Sequence, residues 1–437
     1  MKPDIRKIAL SLLCEQESAG KYVNLALASH KADRLSHEER ASLTALLYTA
    51  TEKKLSYDYY ISALSTREAD KIDPYTKNIL RLGLCQLLDM RSIPDFAAVN
   101  ETVKLARNSG ERSFVNGILR TAQRKKDSLP MPSEEKNYKR YLSVKYSFPL
   151  WIVKCFDSLF GREETERILE FYNTEKYTDI TVNTTKISVD EYTRLLVGAG
   201  YDFEVFDGAP SVRIGRSVNP ESLPGFAEGY FLVQDRASLI SAAALGAAPG
   251  QLIVDTCACP GGKSFAAAIF SGDSADIRSF DLHGAKLSLI SGGAQRLGLE
   301  SVQIALRDAL SPDPELFGKA DRVICDAPCS GLGVLGKKAD LRYKDEAGTE
   351  ALPALQYSIL NESAKYLKVG GVITYSTCTL LPRENGEIIE KFLAEHEYFA
   401  VADFKVGGYC SESGMLTLLP SRDKCDGFFV ARLVRRS

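Results

Sequence analysis

Two cysteines stand where they could do chemistry. Cys329, in Asp326-Ala-Pro-Cys-Ser-Gly, and Cys378, in Tyr375-Ser-Thr-Cys-Thr, each follow a short apolar run, Val323 to Cys325 and Gly371 to Tyr375. A thiolate is the reactive form of cysteine, and a strand-end cysteine near a lysine or a helix N-terminus can supply it near neutral pH. Lys263 is the candidate positive charge. A thiolate beside a methyl donor suits methylation of a carbon that is not nucleophilic by itself, such as carbon 5 of cytosine. Addition to carbon 6 turns the ring into an enamine whose carbon 5 can attack a methyl group; the carbon-5 proton and the thiol must then leave.

The donor site is legible in Asp255-Thr-Cys-Ala-Cys-Pro-Gly-Gly-Lys-Ser264, which follows the apolar run Leu252 to Val254 and precedes an Ala-rich segment of helical character. Gly261 and Gly262 lack a Cβ and let the backbone bend sharply at a helix N-terminus, where unpaired N–H groups point outward. Asp281 ends a second run, Ile277 to Phe280, 19 residues after Gly262, near the offset at which a carboxylate takes ribose hydroxyls. Asp308 closes a third run, Val302 to Leu306, and Asp326 a fourth. Polar or reactive residues at the carboxyl ends of successive strands mark the ligand edge of an open parallel sheet. The loop is neither G-x-G-x-x-G nor a Walker loop, so a nicotinamide oxidoreductase and a triphosphate site are both disfavoured.

These residues need a scaffold. At 437 residues the chain exceeds one core, and about 150 residues per domain suggests three. From Asp4 to about Lys126 the apolar residues recur with helical period, as in Ile5, Ile8, Leu12 and Leu13 or Ile79, Leu80, Leu84, Leu87 and Leu88, and Ser36 with Glu39 forms a capping box. This predicts an all-α domain over 1–126. The two-proline run 127–137 reads as a linker. A small α/β region over 138–234 follows, with helices near Leu150 to Leu159, Glu163 to Tyr172 and Ser188 to Val197, strands at Ile180 to Asn183, near Val212 and at Tyr230 to Val233, and Trp151 as a core anchor. From Asp235 to Ser437 strands and helices alternate, which predicts a Rossmann-like α/β domain with a parallel sheet covered on both faces. Beyond Glu390 the pattern gives one last helix and two strands. Gly292 and Gly293 in the helix after Asp281 each cost about 1 kcal/mol relative to alanine, with no function legible.

Composition narrows the class. Hydrophobic residues at 45% and charged residues at 26% are ordinary for a globular protein, and no apolar run approaches the roughly 20 residues of a bilayer span. With no signal-peptide pattern at Met1-Lys-Pro-Asp, the expected location is the cytoplasm, and the ten scattered cysteines are expected as thiols. Neither Cys257/Cys259 nor Cys325/Cys329 is a C-x-x-C pair, and His30, His37, His283 and His396 have no ligand spacing, so no metal is expected. A net charge of −2 excludes coating of nucleic acid by bulk charge and leaves local basic patches, among them Lys104, Arg107, Arg112, Arg120, Arg124, Lys125 and Lys126.

The N-terminal region resembles the NusB-like RNA-binding fold in Ile79-Leu-Arg-Leu-Gly83, Ile93-Pro94, Ala97-Ala-Val-Asn-Glu101 and Phe114-Val-Asn-Gly117 to Leu119-Arg120. The remainder resembles the RNA 5-methylcytosine methyltransferases, in their RsmB (Sun or Fmu) branch. The resemblance runs through Val233-Gln-Asp-Arg-Ala-Ser238, the Cys257 to Lys263 loop, Asp281, Asp308, Asp326 to Gly333, Tyr375 to Thr379, Glu384-Asn385 and Asp426-Gly-Phe-Phe429. It implies S-adenosylmethionine as cofactor, small-subunit (16S) ribosomal RNA as partner, and a monomer that uses no membrane. By the same resemblance Cys378 is the nucleophile and Cys329 assists product release. The cofactor would be held by Cys257, Ala258, Cys259, Pro260, Gly261, Gly262 and Lys263, with Asp281 on the ribose, Asp308 near the adenine and Asp326 facing the methyl-donor end and the cytosine. Cys259, Ser264, Gly293 and Ala339 depart from the residues usual in the family, alanine, threonine, asparagine and proline, and none of these removes a reacting group. A cytosine in another RNA such as tRNA, or RNA binding without catalysis, are the alternative readings.

Overall fold

The computed structural model describes residues 4–19, 27, 35–174, 177–215 and 217–437; the Met1 to Pro3 start and His30 lie outside them. The chain divides into two compact units, Met1–Asn173 with Lys337–Lys344, and Thr174–Gly336 with Asp345–Ser437.

The first unit is all-α. Its helices are α1 (Ile5–Ala19), α2 (His37–Glu52), α3 (Lys54–Leu64), α4 (Pro74–Leu88), α5 (Asp95–Val103), α6 (Ser109–Arg124), α7 (Tyr138–Tyr146) and α8 (Leu150–Thr174). The Ser36–Glu39 capping box starts α2, and Asp73 caps α4 through the Tyr75 and Thr76 N–H groups with Pro74 in the first turn. Helix α4 is buried from Asn78 to Leu87, so the other helices pack around it. Its Arg81 is only 3% exposed and is neutralised by Asp58 and Glu17, each at 2.6 Å. A Cβ on Gly83 would stand 2.6 Å from Leu119, which is why α4 and α6 can approach so closely there. Gly161, at φ +76°, interrupts α8 between the two helical segments read from the sequence. Trp151 is half-buried at the start of α8, while Phe148, Phe156 and Tyr172 fill the core instead. Within 127–137 the only regular element is the end of a 3₁₀ turn, Lys126–Ser128. No helix of the described residues is long and apolar enough to cross a membrane.

The second unit begins with β1 (Thr178–Val182), α9 (Val189–Gly198), β2 (Phe203–Phe206), β3 (Ser211–Ile214) and β4 (Phe231–Val233). These strands form an antiparallel sheet of order β2-β3-β1-β4. Strand β2 escapes the sequence pattern because it is an edge strand with two of its four residues exposed.

The chain continues with α10 (Arg236–Ala244), β5 (Leu252–Asp255), α11 (Gly262–Phe270), β6 (Asp276–Asp281), α12 (Gly284–Leu297), β7 (Val302–Leu306), β8 (Ala320–Asp326), α13 (Leu352–Ala364), β9 (Leu367–Thr377) and α14 (Gly386–Glu395). It ends with β10 (Phe399–Val401), β11 (Lys405–Val406), β12 (Tyr409–Cys410), β13 (Met415–Leu418), α15 (Pro420–Asp423) and β14 (Phe428–Arg435). The main sheet has the order β10-β14-β9-β8-β5-β6-β7, with β13 also paired to β14. Only β7-β6-β5-β8-β9 are parallel; β14, β10 and β13 are antiparallel, so the expected all-parallel sheet is corrected to a mixed one. The two strands expected beyond Glu390 are likewise five, because stretches as short as Lys405–Val406 and Tyr409–Cys410 carry no readable period. Both faces of the sheet are covered. Ile253, Ile277 and Ile324 pack under α11 and α12, whereas Val254, Val323 and Tyr375 pack with Ile359, Leu360, Ile388 and Phe392 of α13 and α14.

Candidate active site

Strand order reverses at β5, which has β6 on one side and β8 on the other, and that reversal opens a crevice at the carboxyl edge. The loop after β5 is fixed by main-chain bonds to both neighbours: Thr256 N–H donates to the Ile324 carbonyl (3.0 Å) and Ala258 N–H to the Phe280 carbonyl (2.8 Å). Gly261 turns the chain into α11 at φ +111°, where any Cβ would collide with the Phe265 ring. The same ring lies 2.7 Å from the position of a Cβ on Gly293. The glycine that weakens α12 is therefore the space in which Phe265 packs.

Asp281, at the end of β6, accepts the Cys259 N–H (3.1 Å) and the His283 N–H (2.9 Å), one on each carboxylate oxygen. It thus clamps the Cys257 to Lys263 loop while each oxygen keeps a lone pair for a further donor. Asp308, just past β7, is half-buried and accepts the Leu310 N–H at 2.9 Å. Leu282 and Leu306 are 57% and 61% exposed beside these carboxylates, an apolar surface that the sequence reading did not single out.

Lys263, 7% exposed, reaches from the first turn of α11 to Asp326 at the end of β8, Nζ to Oδ2 2.6 Å, and lies over the Phe428 ring. The Ser376 hydroxyl donates to the other Asp326 oxygen at 2.8 Å. The positive charge sought for the cysteines is thus held by Asp326.

Beneath this pair, Asp255 is buried at the end of β5 and accepts the Ser264 hydroxyl (2.7 Å), which in turn is met by the Ser279 hydroxyl (2.7 Å). Burial pushes its carboxyl up to about 7.

The two cysteines come together from adjacent strands. Asp326 of β8 is in register with Ser376 of β9, and the Sγ atoms of Cys329 and Cys378 lie 3.1 Å apart. Gly333 N–H donates to the Cys378 carbonyl (2.9 Å), and Gly427 N–H to the Gly333 carbonyl (2.8 Å). A side chain at Gly333 would run into the Gly427 carbonyl, so the Pro328 to Gly333 loop and the Asp426-Gly-Phe-Phe turn are locked backbone to backbone. The Cys329 thiol is pushed well above its ordinary range, first by its hydrogen bond with Cys378 and then by burial. All ten cysteines are free thiols, as the sequence predicted.

One carboxylate edge therefore gathers the Cys257 to Lys263 loop, Asp281, Asp326, Cys329 and Cys378, with Asp308 at its β7 end. Cys257 and Ala258 are turned toward the core, with Cys257 packed against the Tyr375 side of the sheet and Ala258 against the Phe265 side, whereas Pro260 is exposed. The supporting residues Gln356, Glu384 and Asn385 are buried behind the cysteines. Their only trace in the sequence was the Glu384-Asn385 pair, which carried no role.

Comparison with known proteins agrees with this architecture. The family model described as 16S rRNA methyltransferase RsmB/F matches residues 242–434, that of the NusB family residues 3–124, and a ferredoxin-like domain of the RsmF/B methyltransferases residues 148–218. The probable ribosomal RNA small subunit methyltransferase B of Synechocystis sp. is 35% identical, covering 98% of each chain, and that of Bacillus subtilis 33%, covering 100% of this chain and 99% of its own. A solved methyltransferase homolog protein from Pyrococcus horikoshii superposes with a TM-score of 0.60 at 25% identity, over 69% of this chain and 99% of its own. The cofactor of such enzymes is S-adenosylmethionine, and the chain belongs to the RsmB/F family of 16S rRNA methyltransferases.

Proposed function

We propose that the chain methylates carbon 5 of a specific cytosine in 16S ribosomal RNA through a covalent adduct between Cys378 and carbon 6. The observation that carries this reading is the 3.1 Å approach of the Cys329 and Cys378 sulfurs beside the Lys263–Asp326 pair. A methyltransferase acting on a nucleophilic nitrogen or oxygen would need no such thiol pair.

The edge fits the cofactor. Asp281 keeps lone pairs for ribose hydroxyls, Leu282 and Leu306 offer an apolar face to a flat base, and Asp308 adds an acceptor nearby. From Asp281 on β6 to Cys378 after β9 is three strand spacings, about 14 Å at about 4.8 Å each. That span separates the adenosine end from the reacting base. When bound, S-adenosylmethionine supplies the electrophilic methyl group.

The chain's own residues do the rest. The Cys378 thiolate forms a bond to carbon 6, and the displaced electron pair makes carbon 5 the nucleophile that takes the methyl. Asp326, oriented by Lys263 and Ser376, faces the cytosine. Cys329 assists release: a base takes the carbon-5 proton, the carbon 5–carbon 6 double bond re-forms, and Cys378 leaves as thiolate with the neighbouring Cys329 thiol donating to it. Residues 1–126 and 138–234, joined by 127–137, supply RNA affinity, and 235–437 the chemistry. In the basic stretch Lys104, Arg107 and Lys126 are already engaged by Glu101, Asp73 with Glu111, and Asp95. RNA contact there must compete with these pairs.

Bisulfite sequencing of unmodified 16S ribosomal RNA after incubation with the protein and S-adenosylmethionine tests the reading. One cytosine should become protected. Methyl incorporation with every cytosine still converted would overturn it.

A further inference from the structure

The sheet brings the two cysteines to neighbouring strands but does not fix their separation. Both lie on loops beyond the ladder, where Ala327 N–H to the Ser376 carbonyl is the last bond between the β8 and β9 ends. The Gly333 N–H bond to the Cys378 carbonyl ties the two loops once, four residues past Cys329, and a sulfur–sulfur distance of 3.1 Å calls for further support at each cysteine.

That support comes from the dipeptide before α14. The Glu384 carboxylate is wholly buried and accepts the Ser330 N–H at 2.9 Å, from the residue next to Cys329. The same oxygen accepts the Gln356 amide at 2.8 Å, and the Glu384 carbonyl accepts the Tyr375 hydroxyl at 2.6 Å. Asn385, 4% exposed, spans the other cysteine: its Oδ1 accepts the Thr377 hydroxyl (2.5 Å) and its Nδ2 donates to the Thr379 carbonyl (3.0 Å). The Thr379 carbonyl can only accept, which fixes the orientation of the amide. The Ser330 and Thr379 hydroxyls, 2.8 Å apart, join the two loops.

Among the described residues the Glu384 carboxylate meets neutral donors on one oxygen and none on the other; a carboxylate buried in this way is expensive, and a neutral residue would be the cheaper support. The Glu384 charge has a consequence a neutral residue lacks, since it helps keep the Cys329 thiol protonated.

We propose that Glu384 and Asn385 are positioning residues with separate duties: Asn385 holds Cys378 for attack on the base, and Glu384 holds Cys329 for release of the product. The assignment rests on the covalent mechanism above.

The test uses the full chain, unmodified 16S ribosomal RNA and radiolabelled S-adenosylmethionine, with single- and multiple-turnover rates and a denaturing gel for covalent protein–RNA complex. In Asn385→Ala the first turnover should slow about 100-fold, the loss expected for a reacting atom misplaced by about 1 Å, with no complex accumulating. In Glu384→Ala the first turnover should stay close to wild type while later turnovers slow and complex accumulates. Glu384→Gln keeps an acceptor but removes the charge. Its turnover should be partly rescued, with a pH profile moved to lower pH, which loss of packing alone would not do. Should either alanine variant fail to fold, Thr377→Val, which keeps the volume, carries the first expectation, and Glu384→Gln carries the second in weaker form, with slower later turnovers, some accumulated complex and the moved pH profile. Equal slowing of both steps in both variants would overturn the proposal. So would a Glu384→Ala protein without complex while Cys329→Ser accumulates it. If Cys329→Ser itself forms none, the covalent mechanism fails first, and the two failures are told apart.

Discussion

The two ends of the carboxyl edge are built on different plans. At the cofactor end one continuous stretch, strand, loop and helix from Leu252 to Phe270, carries most of the groups, and Asp281 closes it with two main-chain bonds from one side. At the cysteine end the reacting atoms come from two loops, and their spacing is set by Gln356, Glu384 and Asn385, which reach them from α13 and the start of α14. A binding cradle can be assembled locally because a strand-to-helix turn already presents the groups a ligand needs. Two sulfurs that must meet within bonding reach of one base cannot be placed that way, since each loop has its own freedom.

This contrast can be broken by substitutions at the cofactor end that leave the thiol pair intact. The largest expected effect is at Asp255. Its folded-state carboxyl, pushed up to about 7, holds a proton that the unfolded chain releases near pH 4, so between those values the unfolded state binds fewer protons and stability falls as pH rises. At about 1.4 kcal/mol per pH unit the ceiling is about 4 kcal/mol, complete above pH 7. Asp255→Asn removes that loss. The melting transition that S-adenosylhomocysteine shifts should therefore rise in the variant relative to wild type between pH 5 and pH 8; a constant offset would contradict the buried, protonated carboxyl.

Next is Asp281→Ala. It removes a charged acceptor, and about 1.5 to 3 kcal/mol per lost bond to a charged group weakens S-adenosylhomocysteine binding about 10- to 100-fold by calorimetry. Covalent complex formation by Cys329→Ser should survive this change at saturating cofactor. Loss of both together would mean the two ends are one cooperative unit.

The smallest effect is at Gly293. A Cβ 2.7 Å from the Phe265 ring forces one of the two to shift, and overpacking of this kind costs about 1 to 3 kcal/mol. Gly293→Ala should lower the same melting transition by a few degrees while gaining nothing from alanine's better helix propensity. An unchanged or higher melting temperature would show that Phe265 has room to move.

The difference between the two ends also decides what the sequence could reveal. The placement of the Cys257 to Lys263 loop, Asp281, Asp326 and both cysteines along one carboxyl edge was legible because each stands at the end of a short apolar run. Asp308 was legible for the same reason, although the structure adds that its neighbours Leu306 and Leu282 are exposed. Glu384 stood in the family resemblance without a role, because nothing local in its Pro-Arg-Glu-Asn turn announces that Gln356 and Ser330, 28 and 54 residues away, will close over its carboxylate. Gly293 was unexplained for a similar reason, since its partner Phe265 belongs to another helix. Two strands were expected after Glu390, but their antiparallel direction was missed because a helix-strand alternation says nothing about the direction in which a further strand joins the sheet. Strand β2 was missed because it buries too little to alternate.

The central claim is that the two cysteines act in sequence on one base, Cys378 by forming a bond to its carbon 6 and Cys329 by assisting its release. The most direct measurement is a denaturing gel of purified Cys378→Ser and Cys329→Ser proteins, each incubated with 16S ribosomal RNA and S-adenosylmethionine and read before and after nuclease. Cys378→Ser should give neither product nor a slow band, because a serine hydroxyl near neutral pH is almost wholly protonated. Cys329→Ser should give a slow band that nuclease removes, since addition and methyl transfer proceed but elimination stalls. A band from Cys378→Ser and none from Cys329→Ser would reverse the two roles, and bands from neither, with both proteins still transferring methyl groups, would contradict the covalent mechanism.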